Sequence, residues 1–172
     1  MSEITNLNES TIFIKSEILE LKKAIIQYLE KSIDENDIGQ SIQNIQILRK
    51  KIYERMNQLP HEYYLSKVIE RLINEKKIGK NAIVRWNPRQ TGTGNEPDIQ
   101  IMNNGKVVYS CELTTSIEAE GKIDQRMKEV LEKLSKMEGE KIYIVVSTNM
   151  KDRAETKINN ANYNIEVIDI SR

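Results

Sequence analysis

The chain has 172 residues, with 26 Lys+Arg against 26 Asp+Glu, 38% hydrophobic residues, one cysteine and one histidine. One cysteine excludes an intramolecular disulfide and a Cys-only zinc site, one histidine excludes multi-His metal centres, and zero net charge argues against bulk polyanion binding. No run of about 18 apolar residues exists, and Met1 to Ser10 lacks the basic-then-apolar order of a signal peptide, so a cytoplasmic protein with no membrane span is expected.

Two long helical patterns open the chain. One runs through Ile14, Ile18, Leu21, Ile25 and Leu29, the other through Ile38, Ile42, Ile45, Leu48, Ile52, Met56 and Leu59. Apolar steps of three and four give each a single stripe. Between them Asp34-Glu35-Asn36-Asp37 supplies turn and N-cap chemistry. Residues 1–59 therefore read as an antiparallel helical hairpin that packs on its own domain, makes a homodimer or docks a separate recognition subunit. Pro60 breaks the pattern and suits the start of a third helix through Val68, Ile69, Leu72 and Ile73. The periodicity then changes. Asn81 to Trp86, Asp98 to Met102 and Lys106 to Thr114 read as strands, the last two joined by the hairpin signal Asn103-Asn104-Gly105. A helix from about Glu118 to Met137, a strand Ile142 to Val146, a helix from about Lys151 to Asn160 and a strand Ile165 to Ile170 follow. Crossovers of this length allow parallel pairing, so residues 60–172 are expected to form an α/β core with a central mixed sheet flanked by helices.

The chemistry concentrates in Glu96-Pro97-Asp98 and Cys111-Glu112-Leu113-Thr114. Side chains alternate along a strand, so Ser110, Glu112 and Thr114 share one face while Tyr109 and Cys111 share the other. Hairpin pairing brings the start of the Asp98 strand to the end of the Glu112 strand. An acidic pair at a sheet rim suits Mg²⁺, which prefers carboxylate oxygens, a carbonyl and water. Cys111 reads as a buried small hydrophobe, and Trp86 and Tyr109 as core or lid residues. The charges from Glu129 to Lys141 read as a solvated helix face. Lys76, Lys77, Lys80, Arg85 and Arg89 form a run with no acidic residue between them, the one marked charge asymmetry.

These residues resemble the PD-(D/E)xK nuclease superfamily, whose fold is restriction-endonuclease-like. Pro97-Asp98 is similar to its PD element and Glu112-Leu113-Thr114 to its (D/E)xK element, with the family's usual lysine replaced by Thr114. Glu112-Leu113-Thr114-Thr115-Ser116 resembles the ExT version found in type IIS restriction enzymes related to nicking endonucleases, some of which use a small cleavage subunit. The resemblance covers roughly the second half of the chain. It implies a restriction-endonuclease-like core behind the helical hairpin, and Mg²⁺, with Mn²⁺ able to substitute, held by Asp98, Glu112 and the Leu113 carbonyl. Thr114, Lys122 and Gln125 are then candidates near the reacting centre. Glu62 is preferred over Glu70 as a further acid from the preceding helix, because it shares a face with Leu65 and Ile69. His61 reads as a surface or capping residue. The loop from Asn87 to Asn95 is either a plain connection or a phosphate contact through Arg89, with Lys76, Lys77, Lys80 and Arg85 extending a DNA track. The implied activity is Mg²⁺-dependent DNA hydrolysis by a restriction endonuclease or its cleavage subunit. The alternatives are an inactive DNA-binding or assembly module of the same fold and a homodimeric resolvase or repair nuclease.

Overall fold

The computed structural model describes residues 2–4, 7–32, 36–79, 82–87 and 96–171; Lys80 and Arg89 fall outside them. Two compact units are present, Asn8–Tyr63 and the combination of Met1–Leu7 with Tyr64–Arg172. No described helix is long and apolar enough to cross a membrane.

The first unit is built from α1, Leu7–Ser32, and most of α2, Ile38–Asn74. Asp37 caps α2, its Oδ1 accepting the Gln40 N–H at 3.0 Å, as the acidic turn predicts. Glu17 of α1 meets Arg55 of α2 at 3.6 Å, and Lys51 lies 4.7 Å from the Tyr28 ring centroid while donating to its hydroxyl. Pro60 does not start a new helix; it lies inside α2. The ring occupies an exposed position, where the Met56 carbonyl that loses its partner can be hydrated, so the cost stays local.

The second unit is α/β. Among the described residues its sheet has six strands in the order β1 Ser2–Ile4, β2 Ile83–Trp86, β3 Ile99–Asn103, β4 Lys106–Thr114, β5 Glu140–Val145 and β6 Glu166–Asp169. Pairing is antiparallel from β1 to β4 and parallel from β4 to β6. The strand at Ser2–Ile4 has no sequence signal, because three residues are too few to show alternation. Two helices, α3 Lys122–Ser135 and α4 Thr148–Ala161, close one face through Met127, Leu131, Leu134, Met150, Ala154 and Ile158 over Tyr143 and Val145. Gly121, with φ of 52°, precedes α3 and explains why that helix starts at Lys122 and not near Glu118. Residues of the opposite sheet face, including Trp86, Ile99, Ile101, Cys111, Ile142 and Ile144, are buried too, as are Leu65, Val68, Ile69 and Leu72 of the α2 segment in this unit.

The β3–β4 turn has positive φ at both central residues, 49° at Asn104 and 75° at Gly105, the type I′ geometry that Asn-Gly favours. Past it, Met102 pairs with Val107 but Ile101 pairs with Tyr109. Val108 is therefore an extra residue, a β-bulge. Unbroken pairing from the turn would set Asp98 opposite Cys111. The bulge moves the register by one and sets Asp98 opposite Glu112, on the same face.

Gly139 holds that bulge in place. Its φ is 72°, and a Cβ there would stand 2.6 Å from the Val108 carbonyl oxygen. Gly139→Ala is expected to destabilise the chain by about 3 kcal/mol in urea unfolding. Gly105→Ala serves as the control, since its φ is also positive but its added Cβ meets nothing within 4 Å, and it is expected to lose about 1 kcal/mol. Equal losses at both positions would show that the bulge yields without cost.

Candidate active site

The candidate centre lies where the sheet changes from antiparallel to parallel pairing. Asp98 enters β3 there, and β4 ends there with Glu112, Leu113 and Thr114. Asp98 is held at two points: its carbonyl accepts the Asn87 N–H at 3.0 Å, and its Oδ2 accepts the Leu113 N–H at 2.8 Å. Glu112 opposes Asp98 on one side and Tyr143 of β5 on the other. Asp98 and Glu112 are only 2% and 3% exposed, so two carboxylates share a largely dry position. Burial first and the like charge of Asp98 second push the Glu112 carboxyl up to about 7.

A cation answers that charge from an unforeseen direction. Lys133, on α3, places its Nζ 2.6 Å from Glu112 Oε1 and donates to the Glu96 carbonyl at 2.9 Å. The reading of Glu129 to Lys141 as a wholly solvated face therefore fails at Lys133, whose side chain is 31% exposed. Its signal is positional: Lys133 lies three residues after Val130 and seven after Arg126, on the rim of the α3 apolar stripe, where a long side chain reaches inward.

Thr114 stands at the same end of β4 but is engaged, its Oγ1 sharing a 2.7 Å hydrogen bond with the Tyr143 hydroxyl. Burial raises the Tyr143 phenol to about 12, with Thr114 and Arg126 pulling the other way, so it stays protonated at neutral pH. Gln125 donates to Glu129 at 3.2 Å on the exposed side of α3, and Lys122 is exposed at the helix start. Neither has a hydrogen bond to the acidic pair among the described residues. Glu62 belongs to the helical unit, where its carboxylate is 2% exposed and its Oε1 is 4.0 Å from His61 Nδ1.

The expected basic track divides. Arg85 pairs across β2 and β3 with Gln100, which shares its sheet face with Asp98, so Arg85 lies on the face of the acidic pair. Lys77 instead bonds Glu166 at 2.8 Å, at the start of β6, which pairs with Ile142 and so lies on the Cys111 face of the sheet and not on that of the acidic pair, and that carboxylate raises its pKa. Lys76, with φ of 58°, lies in the turn that ends α2. Lys77 thus ties the turn after α2 to β6. Cys111, Trp86 and Tyr109 are buried as expected, and burial pushes the Cys111 thiol up.

Among the described residues no group of three or more His, Cys, Asp or Glu side chains is disposed to hold a metal ion. What the site offers is a carboxylate pair and nearby oxygen acceptors. Asn87 Oδ1 and Glu96 Oε2 are buried with no hydrogen-bond donor among the described residues. Such a set suits a hard cation that keeps water and a substrate phosphate in its shell, and suits a zinc or copper ion poorly. Fold and site together define an α/β protein with a buried, lysine-compensated acidic pair at a sheet junction. No protein-family model, curated protein or solved structure matches the chain.

Proposed function

We propose that this chain is a Mg²⁺-dependent nuclease that hydrolyses DNA phosphodiester bonds, with a restriction-endonuclease-like core formed by its α/β unit. The observation that carries the reading is the shared burial of Asp98 and Glu112 with the Lys133 ammonium against Glu112. Asp98, Glu112 and the Leu113 carbonyl would hold the ion, which supplies activation of water and neutralisation of phosphate charge. Lys133, 2.6 Å from Glu112 Oε1, would supply a fixed positive charge that stabilises charge developing on a phosphate there. It takes the role left open by Thr114, whose hydroxyl is tied to Tyr143 and serves as a polar wall. Arg85, on the same sheet face, would meet the DNA backbone.

A second reading has its own support. Asp98 accepts from the Leu113 N–H and Glu112 is ion-paired with Lys133, which is also how a purely structural clasp is built. The two readings part on metal. Supercoiled plasmid with Mg²⁺ or Mn²⁺ is expected to be nicked or linearised by the wild type and left intact by Asp98→Asn. Calorimetry with Mg²⁺, with and without DNA, covers a chain that cuts only beside a recognition partner. A site that takes up no divalent ion in either condition overturns the nuclease reading in favour of the clasp.

A further inference from the structure

A buried amide completes the row in which the acidic pair stands. Trp86 pairs with Ile99, and the Asn87 N–H bonds the Asp98 carbonyl at 3.0 Å, so the β2–β3 ladder runs one residue past β2 and sets Asn87 opposite Asp98. Side chains alternate along a strand, which puts Asn87 on the face of Arg85, Gln100 and Asp98. With Glu112 opposite Asp98 and Tyr143 opposite Glu112, four side chains make a row across four strands: amide, carboxylate, carboxylate, phenol. All four are buried, Asn87 at 4% exposure.

Three members of the row are engaged. Asp98 Oδ2 accepts the Leu113 N–H, Glu112 Oε1 lies 2.6 Å from Lys133 Nζ, and the Tyr143 hydroxyl shares its hydrogen bond with Thr114. Asn87 Oδ1 has no hydrogen-bond partner among the described residues. A buried amide oxygen gives up its hydration on folding, a loss that an apolar side chain in its place would avoid. Its neighbours say what it lacks. Asp98 and Glu112, when ionised, carry two negative charges against the single positive charge of Lys133, so the position calls for a cation more than for a neutral donor.

We propose that Asn87 Oδ1 is a third side-chain ligand of the divalent cation that Asp98 and Glu112 would hold, an inference that rests on the metal-dependent reading above. Asp98 is the middle member of the three, with a strand about 4.8 Å away on each side. An ion over its carboxylate is thus within reach of the amide from one strand and of the longer Glu112 side chain from the other. Amide oxygens are ordinary ligands of hard cations. Glu96 does not fill this place, since no three carboxylates among the described residues are disposed to share an ion and its carbonyl is engaged by Lys133. Being neutral, the amide adds a ligand without adding charge. Two carboxylates balance a divalent ion, whereas a third would leave the assembly negative and repel a phosphate.

Calorimetry with Mg²⁺ and luminescence of bound Tb³⁺ on the full chain at pH 8 test the assignment, with Asp98→Asn as the reference for loss of the site. Asn87→Ala is expected to weaken Mg²⁺ binding roughly tenfold, and the Tb³⁺ lifetime in H₂O against D₂O to report about one more coordinated water than in the wild type. Its metal-free Tm is expected to stay close to that of the wild type, since Oδ1 gives up no hydrogen bond. Asn87→Asp, which restores an oxygen ligand, is expected to bind Mg²⁺ at least as tightly as the wild type. Weak binding by both variants would make Asn87 a brace for the β2–β3 ladder and overturn the proposal. Unchanged affinity and hydration in Asn87→Ala overturn it too, and where Asp98→Asn still abolishes binding that result leaves the nuclease reading standing. A wild type that takes up neither ion, with or without DNA, overturns both.

Discussion

Lys133→Met is expected to bind Mg²⁺ more tightly than the wild type and yet to cleave DNA far more slowly. The two effects have one cause. The Lys133 ammonium lies 2.6 Å from Glu112 Oε1, so it offsets part of the negative charge that would attract a divalent ion, and its removal leaves the acidic pair less compensated. An uncompensated pair gains roughly five- to tenfold in cation affinity, the scale of one charge-assisted contact at a partly exposed site. The same ammonium is the fixed positive charge next to the position where phosphate charge would develop, and loss of one such preorganised group lowers a rate by about 10²–10³-fold. Calorimetric titration and single-turnover cleavage read the two quantities separately. Lys133→Arg keeps the charge and is expected to keep wild-type Mg²⁺ affinity with an intermediate rate. A lysine that only braced α3 against the Glu96 carbonyl would lower stability, affinity and rate together, and that pattern would remove Lys133 from the mechanism.

The residues most easily read from the sequence are those whose signals are local. Asn103-Asn104-Gly105 specified its turn because only residues tolerant of positive φ fit there, and Asp34 to Asp37 specified a capped helix start. Strand alternation placed Glu112 and Thr114 on one face. It did not by itself put Asp98 there, because direct counting from the turn pairs Asp98 with Cys111. The correction comes from the bulge at Val108, packed against Gly139 from a segment 31 residues away, and no local pattern encodes that contact. Lys133 was illegible for a similar reason. A charged residue between helical stripe positions reads as solvated unless a buried carboxylate elsewhere in the chain is known to need it. Lys77 has a partner that local sequence does not show either. Its neighbours Lys76 and Lys80 suggest a basic run, but the partner that engages it, Glu166, is 89 residues further along.

Glu112→Gln is expected to abolish cleavage while making the metal-free chain more stable at pH 8. In the folded chain Glu112 holds its proton up to about pH 7, against an ordinary value of 4.5. Its contribution to stability is therefore greatest below pH 4.5 and is lost as pH rises through about 7. At pH 8 the ionised group costs the fold about 3 kcal/mol, of which the Lys133 pair already enters the balance and is given up in the variant, so a net gain of ~2 kcal/mol remains. That gain appears as a rise in Tm of about 4–8 °C for a chain of this length, and it shrinks to near zero at pH 4.5. Mg²⁺ is expected to raise the Tm of the wild type at pH 8 by binding only the folded state, and to leave Glu112→Gln unmoved. The opposite result, a metal-free variant less stable than the wild type at pH 8, would mean that Lys133 and Glu112 stabilise the fold as an ion pair. The acidic pair would then be structural cement between β4 and α3. A stable variant that no longer responds to Mg²⁺ would instead show a fold that keeps two carboxylates together at its own expense, which only a ligand for them explains.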